Sequence, residues 1–184
     1  MNATTTNIAG LVLFEPVIYE DFRGHFIETY NKKVFDQQIG MEVDFVQDNY
    51  SKSSYGVLRG LHFQRAPFSQ AKLVRVLEGE VLDVAVDMRT NSPTYGHHFS
   101  TILSAENKKQ LFIPRDFAHG FVVLSKSAEF FYKCDNYYSP SHDAGIVYND
   151  SHLKIDWKLP QKDLILSEKD KHLENFNMKT TFLR

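Results

Sequence analysis

The chain has 184 residues, of which 42% are hydrophobic, 14% aromatic and 24% charged, ordinary values for a globular protein with one sizeable core. Residues 1–184 therefore read as a single domain. A formal net charge of -2 excludes a global basic field for a nucleic acid polymer, and the single cysteine, Cys134, excludes an internal disulfide and a cysteine zinc cluster.

Residues 1–10 are polar and lack the charged-then-apolar pattern of a signal peptide. No run approaches the roughly 18 apolar residues that span a membrane, so the expectation is a cytoplasmic protein with no membrane partner. Strands are predicted at 11–14 and 24–30. Asn31 is placed to cap a helix over Lys32–Ile39, with Gly40 just past its end. Further strands are predicted at 44–51, 56–64, 71–77, 81–87, 97–103, 110–113, 120–124 and 128–132. Turn chemistry at Glu78-Gly79, Asn91-Ser92-Pro93 and Pro114-Arg115-Asp116 separates several of them. Within 81–87, valines are interleaved with Asp83 and Asp87, so alternation and a buried run are mixed and the period is ambiguous. The chain is less regular from about Ser139. Ser167, followed three residues later by Asp170, predicts a capped short helix starting at Glu168. Many short strands with near-regular turns make the fold all-β, a sandwich or a barrel, with short flanking helices.

Four segments offer reactive side chains. In the strand ending at Gln64, two-residue alternation would put His62 and Gln64 on one face with Leu58, and Arg59 with Leu61 on the other. Lys72 shares a face with Val74 and Val76; it is an edge charge or an ammonium aimed into a barrel. His119 precedes Gly120, and Tyr132 ends an apolar strand. Each of these, taken singly, is equally consistent with a hydrogen-bonded structural residue.

Together they form a pattern. The sequence resembles the dTDP-4-dehydrorhamnose 3,5-epimerase family through Phe22-Arg23-Gly24-His25-Phe26-Ile27-Glu28, the long run 47–62, and Ala71-Lys72-Leu73-Val74-Arg75-Val76. Segments 113–121 and 132–138, and Leu166-Ser167-Glu168-Lys169-Asp170, match in the same order. Tyr50 departs from the pattern, at a position with no assigned role in catalysis. The resemblance implies a double-stranded β-helix, or cupin-like jelly roll, and a homodimer with exchanged N-terminal strands. It implies His62 as base, Asp170 as its orienting partner, Lys72 as enolate stabiliser and Tyr132 as acid. Arg23, Glu28, Gln47, Asp48, Asn49, Arg59 and His119 would contact the dTDP-sugar, with Tyr138, Asp143 and Lys169 near it. No cofactor and no metal are implied.

The chemistry is coherent with that set. A C4 ketone acidifies the C3 and C5 hydrogens of a 4-keto-6-deoxy sugar. An enzyme then needs a base, a cation at the developing oxyanion and an acid on the opposite face. Histidine ordinarily titrates near about 6.5, close to working pH, and tyrosine near about 10. Arg23 and Arg59 suit a diphosphate through bidentate bonding, unless they form ion pairs with Glu28 or Asp48. Three rivals remain at this stage. A metal-dependent cupin would place a second histidine two residues after His62, where Gln64 stands, and the adjacent His97 and His98 point to opposite faces of a strand. A carbohydrate-binding jelly roll would not require His62, Lys72, Tyr132 and Asp170 together. A 3-only or 5-only epimerase would use the same residues.

Overall fold

The structure is a computed structural model that describes residues 1–176. Thirteen strands run in chain order: β1 (Asn2–Thr5), β2 (Val12–Glu15), β3 (Tyr19–Asp21), β4 (Gly24–Phe26), β5 (Gln47–Ser54), β6 (Leu58–Gln64), β7 (Lys72–Glu78), β8 (Glu80–Asp87), β9 (His98–Ser104), β10 (Gln110–Ile113), β11 (Phe117–Val123), β12 (Ser127–Cys134) and β13 (Asp143–Gly145). Two helices accompany them, α1 (Lys32–Ile39) and α2 (Glu168–Lys171). A six-stranded sheet, β1-β2-β10-β7-β12-β5, faces a five-stranded sheet, β13-β6-β11-β8-β9. Every pairing within the two sheets is antiparallel. This is the expected all-β jelly-roll architecture.

Three apolar layers hold the sheets. The middle layer lies between them and joins Val74, Val76, Leu111 and Phe130 of one sheet to Val81, Ala85, Phe121 and Val123 of the other. A second layer covers the outer face of the five-stranded sheet. There Leu58, Leu82, Val84 and Val86 meet Ile146, Tyr148, Leu153 and Trp157 of the C-terminal region. Buried Trp157 donates its Nε1–H to the Tyr148 carbonyl at 2.8 Å, which satisfies its only polar atom. The ambiguous period of 81–87 is explained by these two layers, because β8 is buried on both faces: Val81 and Ala85 point inward, and Leu82, Val84 and Val86 outward.

Helix α1 covers the outer face of the six-stranded sheet. Its span and caps match the expectation: Asn31 accepts from the Val34 N–H, and Gly40 adopts the left-handed conformation at φ 73°. One fully buried residue, Phe35, anchors it among Phe14, Phe45 and Phe112. Burial of that ring contributes about 2–3 kcal/mol.

Several boundaries differ from the expectation. Strand 24–30 is cut to Gly24–Phe26, which pairs only with Tyr19–Asp21 in a separate hairpin. With no third strand behind it, the pattern continuing to Tyr30 has no ladder to join. The predicted strand 44–51 starts instead at Gln47 and runs to Ser54, opposite β12. β1 and β13 are too short and too polar to stand out in the sequence. The Gly60–Leu61 and Ala66–Pro67 peptides are cis.

At the end of β8, fully buried Asp87 gathers the following turn. Its carboxylate accepts from the Arg89 N–H and guanidinium, from the Ser92 hydroxyl at 2.7 Å and from the Thr94 hydroxyl at 2.7 Å. Burial pushes this carboxyl up, yet Arg89, Ser92 and Thr94 outweigh it and hold the group at about 2. A depressed folded value means stability that is present above the unfolded pKa and lost as pH falls through the folded one. About 2 kcal/mol is expected to disappear between about pH 5 and pH 2 from this residue. Denaturant unfolding across that range checks it: Asp87→Asn should be less stable at neutral pH and should show a shallower acid slope than wild type.

Candidate active site

A cavity of about 620 Å³ opens at one end of the space between the sheets. Where the middle layer is elsewhere apolar, its lining here carries Asn49, Arg59, His62, Lys72, His119, Tyr132, Lys169 and Asp170. Five strands supply the first six of these, and α2 supplies the last two.

One correction concerns β6. Simple alternation would separate Arg59 from His62, yet both line this cavity, while Leu58, Leu61 and Phe63 lie together in the outer layer. The cause is a bulge. His119 pairs with His62 and Phe121 with Arg59, so two steps on β11 match three on β6. The extra residue reverses the facing of everything beyond it. Gly60 makes the bulge possible: its φ is 122°, and a Cβ there would stand 2.6 Å from the Gly120 Cα and 2.7 Å from the His119 carbonyl oxygen.

His62 Nε2 lies 2.7 Å from Asp170 Oδ1. Asp170 is buried, and its other oxygen accepts the Gly60 N–H at 3.4 Å. The Ser167 hydroxyl accepts the Asp170 N–H at 3.1 Å, so the predicted cap orients the carboxylate-bearing helix. Burial raises the Asp170 carboxyl, but His62 first, then Gly60 and Ser167, draw it below the usual carboxylate range. The His62 Nδ1 has no partner among the described residues.

Lys72 projects on the face of Val74 and Val76, as alternation required, and reaches the cavity. It makes no hydrogen bond or ion pair among the described residues. Its ammonium stands 5.8 Å from the Tyr132 ring centroid. Burial lowers its pKa, partly offset by negative charge around it. Tyr132 follows Phe130 inward along β12, and burial pushes its phenol up to about 12. Next on that face, Cys134 is buried, with the Asn49 amide 3.6 Å from its sulfur. Arg59 donates to the Ser53 hydroxyl at 3.1 Å and pairs with no carboxylate among the described residues.

Other expected contacts sit further out. Gln47 accepts the Tyr138 N–H at 3.0 Å and donates to Asn49, so it braces the rim. Tyr138 donates to Asp143, whose carboxylate also holds Lys169. Asp48 points outward and pairs with Lys133. Glu28 bonds Asn31, and Arg23 pairs with Asp21 on the β3–β4 hairpin, outside this cavity. Neither arginine therefore pairs with Glu28 or Asp48.

Sequence reasoning missed Asp83. It is fully buried beside the cavity, and its Oδ2 lies 2.9 Å from His119 Nε2. Burial lowers the His119 pKa, while Asp83 works to raise it. An acid flanked by Leu82 and Val84 in an otherwise apolar strand was the available sign. Among the described residues, no cluster of three or more His, Cys, Asp or Glu side chains is arranged to hold a metal ion.

Residues 5–178 match the family described as dTDP-4-dehydrorhamnose 3,5-epimerase. This chain belongs to that family. The epimerase of Shigella flexneri is 51% identical over 96% of each chain. A crystal structure of the Elizabethkingia anophelis epimerase superposes with a TM-score of 0.94 at 54% identity, covering 97% of this chain and 98% of that one. The Legionella pneumophila dTDP-6-deoxy-D-glucose-3,5-epimerase, solved in complex with dTDP-4-keto-L-rhamnose, gives a TM-score of 0.94 at 48% identity, covering 99% and 96%. The family thus supports the jelly-roll architecture and a nucleotide-sugar site. No helix among the described residues is long and apolar enough to cross a membrane.

Proposed function

We propose that this protein epimerises dTDP-4-dehydro-6-deoxy-D-glucose at C3 and C5 to give dTDP-4-dehydro-L-rhamnose, through enolate intermediates. The observation that carries the reading is the convergence of the His62–Asp170 pair, unpaired Lys72 and Tyr132 on one cavity. His62 donates Nε2–H to Asp170, which leaves the Nδ1 lone pair to take the substrate proton; the carboxylate then stabilises the imidazolium. The C–H electron pair moves into the ring as the C4 oxygen gains charge, and Lys72 answers that charge. Tyr132, protonated at any working pH with its phenol at about 12, returns a proton from the opposite face. Tyr132 recovers that proton from solvent and His62 releases its own, so the reaction is balanced at each carbon. Arg59, lacking a carboxylate partner, binds the diphosphate.

The nucleotide end is completed by a second copy of the chain. Arg23 and Glu28 lie outside the cavity of their own subunit, while the β3–β4 hairpin carries Phe22 at 97% exposure and Phe26 at 68%. A hairpin that exposes three aromatic rings, Tyr19, Phe22 and Phe26, is suited to burial in a partner, which supports a homodimer formed through N-terminal strands. We place the enzyme in the cytoplasm, where nucleotide sugars are made.

The test is NMR of the dTDP-4-keto-6-deoxy sugar in heavy water, following deuterium entry at C3 and C5 separately. Exchange at both carbons with formation of the L-configured product is expected; exchange at one carbon alone would instead mark a 3-only or 5-only epimerase. Tyr132→Phe is expected to keep proton abstraction and lose reprotonation at one carbon by about 100-fold or more. Normal exchange and normal epimerisation in that variant would make Tyr132 a structural residue.

A further inference from the structure

An amine that lines the cavity and a carboxyl buried behind its His119 wall lack complete partners. Asp83 is fully buried, with Oδ2 bonded to His119 and Oδ1 without a hydrogen-bond partner among the described residues. Lys72, apart from its ring contact with Tyr132, likewise has no hydrogen-bond or ion-pair partner among the described residues. They belong to facing sheets, and both project between them: Lys72 in line with Val74 and Val76, Asp83 in line with Val81 and Ala85. A buried carboxylate oxygen without a donor is costly unless another charge compensates it.

We propose that Asp83 is a positioning residue that serves as the through-space counter-ion of Lys72, keeping the ammonium charged inside the barrel while leaving its N–H groups free for the substrate oxyanion. The proposal rests on the reading of Lys72 as the enolate-stabilising cation. Lys72 is faced by Tyr132 and Cys134 from β12, His62 and Arg59 from β6, His119 from β11, Asp83 from β8 and Asp143 from β13. The positive members of this set work against a second cation. Burial pushes the Cys134 thiol up to about 11, so it is neutral at working pH and supplies no charge. Asp143 is already held by Lys169 and Tyr138. Asp170, which lines the same cavity, is taken up by His62, so among the described carboxylates Asp83 remains. Its pairing with His119 does not cancel it, because burial favours the neutral imidazole. A direct Lys72–Asp83 bond would turn the ammonium away from substrate; attraction without contact fixes the charge and leaves the donors available.

Asp83→Asn retains an acceptor for His119 but removes the charge. In this variant the alkaline limb of the kcat profile is expected to move to lower pH by about one unit or more, with little change in KM. In a Lys72→Met background the same change should have little further effect on residual deuterium exchange. A uniform loss at every pH, repeated by the same factor with Lys72→Met, would mean that Asp83 only holds His119 and would overturn the proposal. Thermal unfolding without substrate gives a second readout. Each single variant leaves one buried charge uncompensated, so the double variant should be more stable than additivity of the two single losses predicts. Strict additivity would also overturn the proposal. That cycle needs no turnover, so a failed counter-ion is distinguishable from a wrong substrate, which would show instead as no exchange by the wild type.

Discussion

Replacing His62 by alanine is expected to slow both deuterium exchange and turnover by about 100- to 10,000-fold, the usual contribution of a general base. Both half-reactions should fall together, because exchange and epimerisation share the abstraction step. The fold should survive, since His62 is half-buried in a cavity wall and not packed into an apolar layer. The vacated Asp170 keeps the Gly60 N–H and the Ser167 cap. Asp170→Asn should also slow exchange strongly, because an amide there can hold the imidazole in the wrong tautomer and no longer opposes the imidazolium with charge. Near-normal exchange in His62→Ala would remove His62 from the mechanism and transfer suspicion to His119.

The second large effect is expected from a residue with no side chain. Gly60→Ala should cost about 2–4 kcal/mol or more, combining a left-handed backbone unfavourable for alanine with a collision against rigid backbone on β11. Gly24→Ala is the control. It has the same φ of 122°, but an added Cβ meets nothing within 4 Å, so the difference between the two variants isolates the steric part. Activity should fall further than stability explains. Relaxing the bulge moves Arg59 and His62 relative to one another and withdraws a donor from Asp170. Melting temperatures of both variants, with exchange rates measured well below the transition, check each half. If Gly60→Ala melts like Gly24→Ala, close approach at the bulge is not what holds the site.

Much of this was legible from the chain alone, and the exceptions share a cause. The boundaries of α1 could be read because Asn31 and Gly40 act locally, through one side-chain acceptor and one permissive φ. Alternation puts Lys72 on one face with Val74 and Val76 but leaves open whether that face is an edge or the barrel interior, and the role of Tyr132 comes from the resemblance. Arg59 and His62 were separated by the same rule because a bulge is a property of two strands, and nothing within β6 reports the step taken by β11. Asp83 was passed over because its meaning depends on being buried from both sides, which only the C-terminal covering layer reveals. The pairing of Asp170 with His62, across 108 residues, came from resemblance and not from any local pattern.

That long reach bears on when the protein becomes an enzyme. The strands carrying His62, Lys72 and Tyr132 are complete by Cys134, but Asp170 is delivered by the segment that emerges later in synthesis. That segment is fastened late and at several points: Ile165 bridges to Val57, Glu174 to Ile146, and the Phe176 N–H to buried Asp150. A chain released before it would lack the outer cover of the five-stranded sheet, the wall of the cavity formed by Ile165, Leu166, Ser167 and Lys169, and the carboxylate beside His62. Competence is therefore tied to completion of that segment, since cavity wall, covering layer and carboxylate all arrive with it.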